Sequence, residues 1–372
     1  MTIMTETLNE LIRQLDSCDR KKRLAALESL CDRQRLGLLD DAVPAGPVLP
    51  SYDHVHTTVS YGFAVPGVHS VSRMVWAAHE AHSDSTLIVE HESVAHFAEA
   101  EQAVAIVNRG IANPLRLILG VEFKTPIALN DMESRFFSRD IAREWGQGEA
   151  AWIVGIGATP SDELSQLAAQ FQKAKRLRAR QKLQQLNRHL ALTPPLSLSQ
   201  LLTPEGNITD RTLCSAVADA RWPDANAAAQ AKHRSDVRAM LNPGSPGYVV
   251  YPPGLPSYQD LIGKLSRLGM TPTFTTQLRG QQLAKALPLL KSWGIGALDI
   301  AGIEPDDTNS HRDIWKIIQL AEQNRLALVG GSDYRGAGTG WTEHATWMDC
   351  PLIRTTIDRL AALDQSSPDR CK

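Results

Sequence analysis

No stretch of this 372-residue chain approaches the run of about 18 apolar residues that a membrane span needs, and its first residues lack the apolar core of a secretory signal. Neither sign of charge prevails: 39 Lys and Arg stand against 41 Asp and Glu, a net charge of −2. That balance argues against a dedicated binder of nucleic acid or membrane surface, and a small molecule is the expected partner. Cysteine is scarce. Cys18, Cys31, Cys214, Cys350 and Cys371 are odd in number, scattered and free of any C-x-x-C pair, as suits a reducing cytoplasm. Internal repeats and low-complexity tracts are missing too. What remains is ordinary for a globular protein, with 43% hydrophobic and 22% charged residues.

Against that background one segment stands out. Asp53-His54-Val55-His56-Thr57 closely follows the turn-rich Pro44-Ala45-Gly46-Pro47. Side chains two apart on a strand share a face, so His54 and His56 can grip one metal ion. Alone, the pair is as easily incidental. Three later islands could complete the site: Ile88-Val89-Glu90-His91-Glu92, Leu119-Gly120-Val121-Glu122-Phe123 and Gly330-Gly331-Ser332-Asp333-Tyr334. Each follows or contains an apolar run, reads as a buried strand and ends in a carboxylate or histidine. Strands alternating with helical stretches suggest βα units, whose functional residues gather at the strands' C-terminal ends.

In order and spacing, D-H-V-H-T, E-H-E, G-V-E and G-S-D resemble the motifs of the PHP (polymerase and histidinol phosphatase) superfamily of metal-dependent phosphoesterases, over about residues 52–347. The resemblance includes the Arg- and Lys-rich stretch 161–190 and the segment Asn207-Ile208-Thr209. It implies a distorted seven-stranded β/α barrel with metals at its C-terminal rim. The implied layout is an N-terminal helical extension and linker over 1–50, barrel over 51–191, a helical insertion over 192–256, and the rest of the barrel with a tail over 257–372.

The resemblance assigns His54, His56, Glu122 and Asp333 to one divalent ion, with Glu90 as a further ligand. Two neutral nitrogens and two carboxylates suit zinc, manganese or iron, and the carboxylates offset the ion's charge. A polar plug left in a dead site is the plainer alternative. His91, aided by Glu90, would handle the proton. Three family histidines are absent: none lies in Ala151–Gly155, Thr276 stands in place of one, and Arg335 in place of another. One ion is therefore expected, two at most. Arg335, Arg279 and Lys124 would hold an anionic substrate beside it. Alternatively, Arg335 only pairs with Glu90 or Glu92. The implied reaction is hydrolysis of a small metabolite or nucleotide phosphoester. The alternatives are a single-metal hydrolase or lyase of a non-phosphate substrate, and a binding protein that has kept the fold.

Elsewhere, residues 5–36 read as one or two helices, with Leu8, Leu11, Ile12 and Leu15 on one face and Leu24, Leu27 and Cys31 on another. The basic block Arg20–Arg23 between them suggests a solvated helix outside the barrel rather than a partner-binding arm. Thr159-Pro160-Ser161-Asp162 reads as a helix start capped by Thr159. The helix it opens, carrying Lys173, Lys175, Arg176, Arg178, Arg180 and Lys182, reads as a solvated face, or else as a rim for anions. His69 is a lesser substrate-contact candidate, while His79 and His82 read as solvated.

Overall fold

The computed structural model describes residues 7–38, 54–62, 68–126, 150–275, 280–300 and 308–330. Six strands arise where short apolar, β-branched runs occur: β1 (Ser85–His91), β2 (Arg116–Pro126), β3 (Ala150–Ile156), β4 (Thr271–Thr275), β5 (Ala297–Asp299) and β6 (Ala327–Val329). They form one sheet in sequence order. β1 and β2 are parallel, β3 runs antiparallel to both its neighbours, and β4, β5 and β6 are parallel.

Alternation sorts the strand residues onto two faces. Leu87, Val89, Ile118, Val154, Ile156, Ala297 and Val329 pack together on one. Ile88, Leu119, Val121, Phe123, Ile153, Phe274 and Leu298 join the main core with the surrounding helices on the other. Among the described residues the sheet is a curled half-barrel of six strands, not the closed seven-stranded barrel implied above. Beside β1 a further position is held by Val55 alone, which bridges Ile88. On either side of it His54 takes a left-handed φ of 47° and Thr57 caps the short helix α3 (Thr58–Tyr61).

The N-terminal helices α1 (Leu8–Gln14) and α2 (Arg20–Arg35) are part of the main core. Leu11, Leu15, Leu27 and Leu30 are fully buried, each contributing roughly 1.5–3 kcal/mol. The basic block is not merely solvated. Arg23 is buried against Glu99 of α5 (Phe97–Val107), and Arg20 Nη2 donates to Ala98 O at 2.7 Å. Asp16, after α1, accepts from Ser70 N–H at 2.8 Å, beside His69 at 3.0 Å and Arg73 at 2.5 Å, at the start of α4 (Val71–Glu80). His69 therefore bonds to the N-terminal helices. His79 meets Gln34 at 2.8 Å, and His82 is exposed.

Burial alone would raise the Asp16 carboxyl, but His69, Ser70 and Arg73 outweigh it and hold it below 3.8. A lowered carboxyl stabilises the fold above its unfolded pKa and loses that contribution as pH falls through the folded value. Asp16→Asn should cost about 1.5–3 kcal/mol at pH 7. The gap from wild type should close as urea melts are taken from about pH 5 towards pH 2; a gap independent of pH would refute the charged network.

The long helix α6 (Asp162–His189) starts one residue after its true cap, Ser161, whose hydroxyl accepts from Leu164 N–H at 3.2 Å; Thr159 and Pro160 precede it. Ala179, Leu183 and Leu186, on its second half, share a separate core with Leu213, Cys214 and Val217 of α7 (Asp210–Arg221) and Val237 of α8 (Ala227–Ala239). Its basic residues seat this segment: Lys182 is buried and bonds Asp210 at 2.7 Å and 2.8 Å, and Arg178 Nε donates to Val249 O at 2.7 Å. Three more helices, α9 (Tyr258–Arg267), α10 (Gly280–Trp293) and α11 (Thr308–Gln323), complete the described chain. No described helix is long and apolar enough to cross a membrane.

Candidate metal centre

The C-terminal ends of β1, β2 and β5 gather polar side chains above the apolar inner face. His91 ends β1 directly opposite Glu122 in the register with β2, and Asp299 ends β5. All three are buried, as are His54 and His56 on either side of the Val55 bridge. One ligand atom each from His54, His56 and Glu122 lie within 4.8 Å of one another. His56 Nε2 is 3.8 Å from Glu122 Oε2, and its ring stacks on His91 at 4.4 Å.

Asp299 fixes His54. Its Oδ2 lies 2.5 Å from His54 Nδ1, which sets the tautomer and leaves Nε2 as the nitrogen for a ligand. His91 Nε2 shares a hydrogen bond of 2.9 Å with the Tyr61 hydroxyl, and its Nδ1 faces Glu122 Oε2 at 2.9 Å without hydrogen-bond geometry. Asn207, from the helical segment, donates to the His91 carbonyl at 2.7 Å. Trp152 closes one side, its ring 5.0 Å from that of His91.

Two neutral imidazoles and a carboxylate, all out of water, fit a divalent ion well. Three such protein ligands leave positions open for substrate and water. His54 carries its residue-level cost in the backbone: a left-handed φ is worth roughly 1–2 kcal/mol of strain for a residue with a Cβ, of the kind that gathers at functional sites.

Glu90 lies on the other face of β1. Its carboxylate accepts from Thr57 N–H at 2.9 Å, the Thr57 hydroxyl at 2.5 Å and the Ser60 hydroxyl, and is outside the grouped ligand atoms. Burial pushes it up to about 8 against those bonds. Glu92, just past the strand, pairs with Lys175; burial raises its carboxyl despite that charge. Lys124 sits two residues beyond Glu122 on the same face, its ammonium 5.1 Å over the Trp152 ring. Burial lowers it to about 8. Asp333, Arg279 and Arg335 lie outside the described residues.

Sequence reading missed four side chains here. Asp299 bears the signal used for Glu122, a carboxylate ending an apolar strand. Tyr61 and Trp152 carry no motif that marks them. His96 is fully buried near His56, and burial takes it down to about 3.

No family model and no curated protein matches the sequence. Solved structures do share the fold. A candidate metal-dependent phosphoesterase from Bifidobacterium adolescentis superposes with a TM-score of 0.56 at 20% identity, covering 82% of this chain and 95% of that one. An amidohydrolase from Chromobacterium violaceum, solved with bound sulfate and no metal, gives a TM-score of 0.59 at 20% identity, covering 84% and 95%. At that identity the likeness is one of fold.

Proposed function

We propose that the protein is a metal-dependent hydrolase acting on a phosphoester of a small metabolite or nucleotide. The observation that carries the reading is the buried group of His54, His56 and Glu122, with His54 fixed by Asp299. Asp333 would complete the ligand set, and the six described strands would belong to the barrel implied by the sequence motifs. A zinc, manganese or iron ion held there supplies Lewis acidity and lowers the pKa of water.

The chain's own groups do the rest. His91 would exchange a proton at Nε2, where the Tyr61 hydroxyl meets it. The Trp152 ring lies 5.0 Å from the buried His91 ring. Arg279 and Arg335 would neutralise charge developing on the phosphoryl oxygens. The sulfate in the amidohydrolase neighbour supports a site for a tetrahedral oxyanion. That same neighbour's activity supports a second reading, hydrolysis of a C–N bond at one metal.

The test is a panel of phosphate monoesters and nucleotides beside cyclic amides, assayed with manganese or zinc. Phosphate release that disappears in Glu122→Gln is expected. Turnover of amides alone would move the assignment to the second reading, and no turnover of either would sink the hydrolase.

A further inference from the structure

Glu90 is a buried carboxylate that the grouped metal ligands do not include. We infer that Glu90 is a positioning residue: by holding the short helix α3 against β1, its carboxylate sets His56 and Tyr61 against the His91 ring. The inference rests on the hydrolase reading for its consequence, the metal affinity of the site. It replaces the ligand role that the sequence motifs implied for Glu90.

Both carboxylate oxygens are committed to α3 and its cap. Oε1 accepts the N–H of Thr57 at 2.9 Å and its hydroxyl at 2.5 Å, and Oε2 accepts the hydroxyl of Ser60. Ser60 in turn accepts the His91 N–H at 2.9 Å, so one hydroxyl joins Glu90, α3 and the end of β1. Bonds to a carboxylate are roughly twice as strong as neutral ones, and at a fully buried residue a lost partner is not made good by solvent. The nearby charge that acts on Glu90, that of Glu205, is of like sign and offers it no pairing.

What α3 carries gives the clamp its meaning. Thr57, its cap, directly follows His56, and Tyr61 is its last residue. The His56 ring stacks on that of His91 at 4.4 Å, and the Tyr61 hydroxyl meets His91 Nε2 at 2.9 Å. A helix of four residues is too short to hold itself, so its place is set by bonds from outside. Among the described residues, other elements meet its backbone at two points: Thr58 N–H donates to His69 O at 3.0 Å, and Val59 O accepts from Thr203 Oγ1 at 3.4 Å. Glu90 supplies three bonds, two of them at the residue beside His56.

The experiment is NMR of the full chain, metal-free and labelled with 13C in its histidine rings, followed by competition for zinc with a chromophoric chelator. Glu90→Ala should shift the ring signals of His56 and His91, leave those of His79 and His233 in place, and weaken zinc binding roughly tenfold or more. Glu90→Gln should stay close to wild type in both, because its amide oxygen still accepts from Thr57 and its amide nitrogen reaches the Ser60 oxygen. Ser60→Ala should shift the same two signals by less, which keeps the test open if Glu90→Ala does not fold. Leu290→Ala, a core truncation in α10, should leave the two signals and the zinc affinity unchanged; shifts there as large as in Glu90→Ala would reduce Glu90 to general stability. Unmoved His56 and His91 signals in Glu90→Ala overturn the inference. So does loss of zinc in Glu90→Gln with both signals unmoved, since Glu90 would then be a ligand. Because the ring signals need neither metal nor turnover, their shift in a protein that binds no zinc would retain the positioning role and reject only the hydrolase.

Discussion

Arg23→Ala should lower the unfolding free energy by about 3–5 kcal/mol, because it strands a buried carboxylate. The Glu99 side chain is 4% exposed and takes both Nε, at 2.8 Å, and Nη2 of Arg23, with Ser72 adding its N–H at 3.2 Å and its hydroxyl at 2.7 Å. Without the guanidinium only Ser72 remains. Replacing the pair together by apolar residues, Arg23→Met with Glu99→Leu, should recover much of the loss, since the penalty comes from the unpaired charge. Urea unfolding at pH 7 reads both. A cost below about 1 kcal/mol for Arg23→Ala would mean the ion pair behaves as a surface pair, and that the N-terminal helices are a loosely held arm.

The second large effect is expected at Asp299, which holds His54. Asp299→Ala should weaken metal binding by about 10–100-fold while leaving His54, His56 and Glu122 in place. His54 would then be free to flip or change tautomer. Asp299→Asn should retain part of the affinity, because its amide oxygen can still accept from Nδ1–H. Competition with a chromophoric chelator measures all three proteins. Unchanged affinity in Asp299→Ala would show that the 2.5 Å contact does not orient a ligand.

Much of the centre was legible in the chain, for reasons that also mark where reading fails. His54 and His56 sit two apart and Glu122 ends an apolar run, a pattern that the order of the later motifs turned into a ligand set. The same alternation should have separated Glu90 from His91: neighbours on a strand face opposite ways, and Glu90 serves Thr57 and Ser60 on the far side. Asp299 followed the strand-end pattern but stood outside the family-like motifs. Tyr61 comes to His91 through the turn after His56, a tertiary contact with no sequence period behind it. The basic face of α6 could not be told from a solvated one, because its partners Asp210 and Val249 belong to a segment placed over it only by the fold. Among the described residues, the single-residue bridge at Val55 beside β1 was likewise hidden.

The central claim is that His54, His56 and Glu122 hold a metal ion, and metal content tests it most directly. Tag-free protein, reconstituted with zinc, manganese or iron and desalted, is analysed by mass spectrometry beside His56→Ala. About one equivalent is expected in wild type and almost none in the variant. Wild-type protein that retains no metal, or a variant that retains as much as wild type, would contradict it.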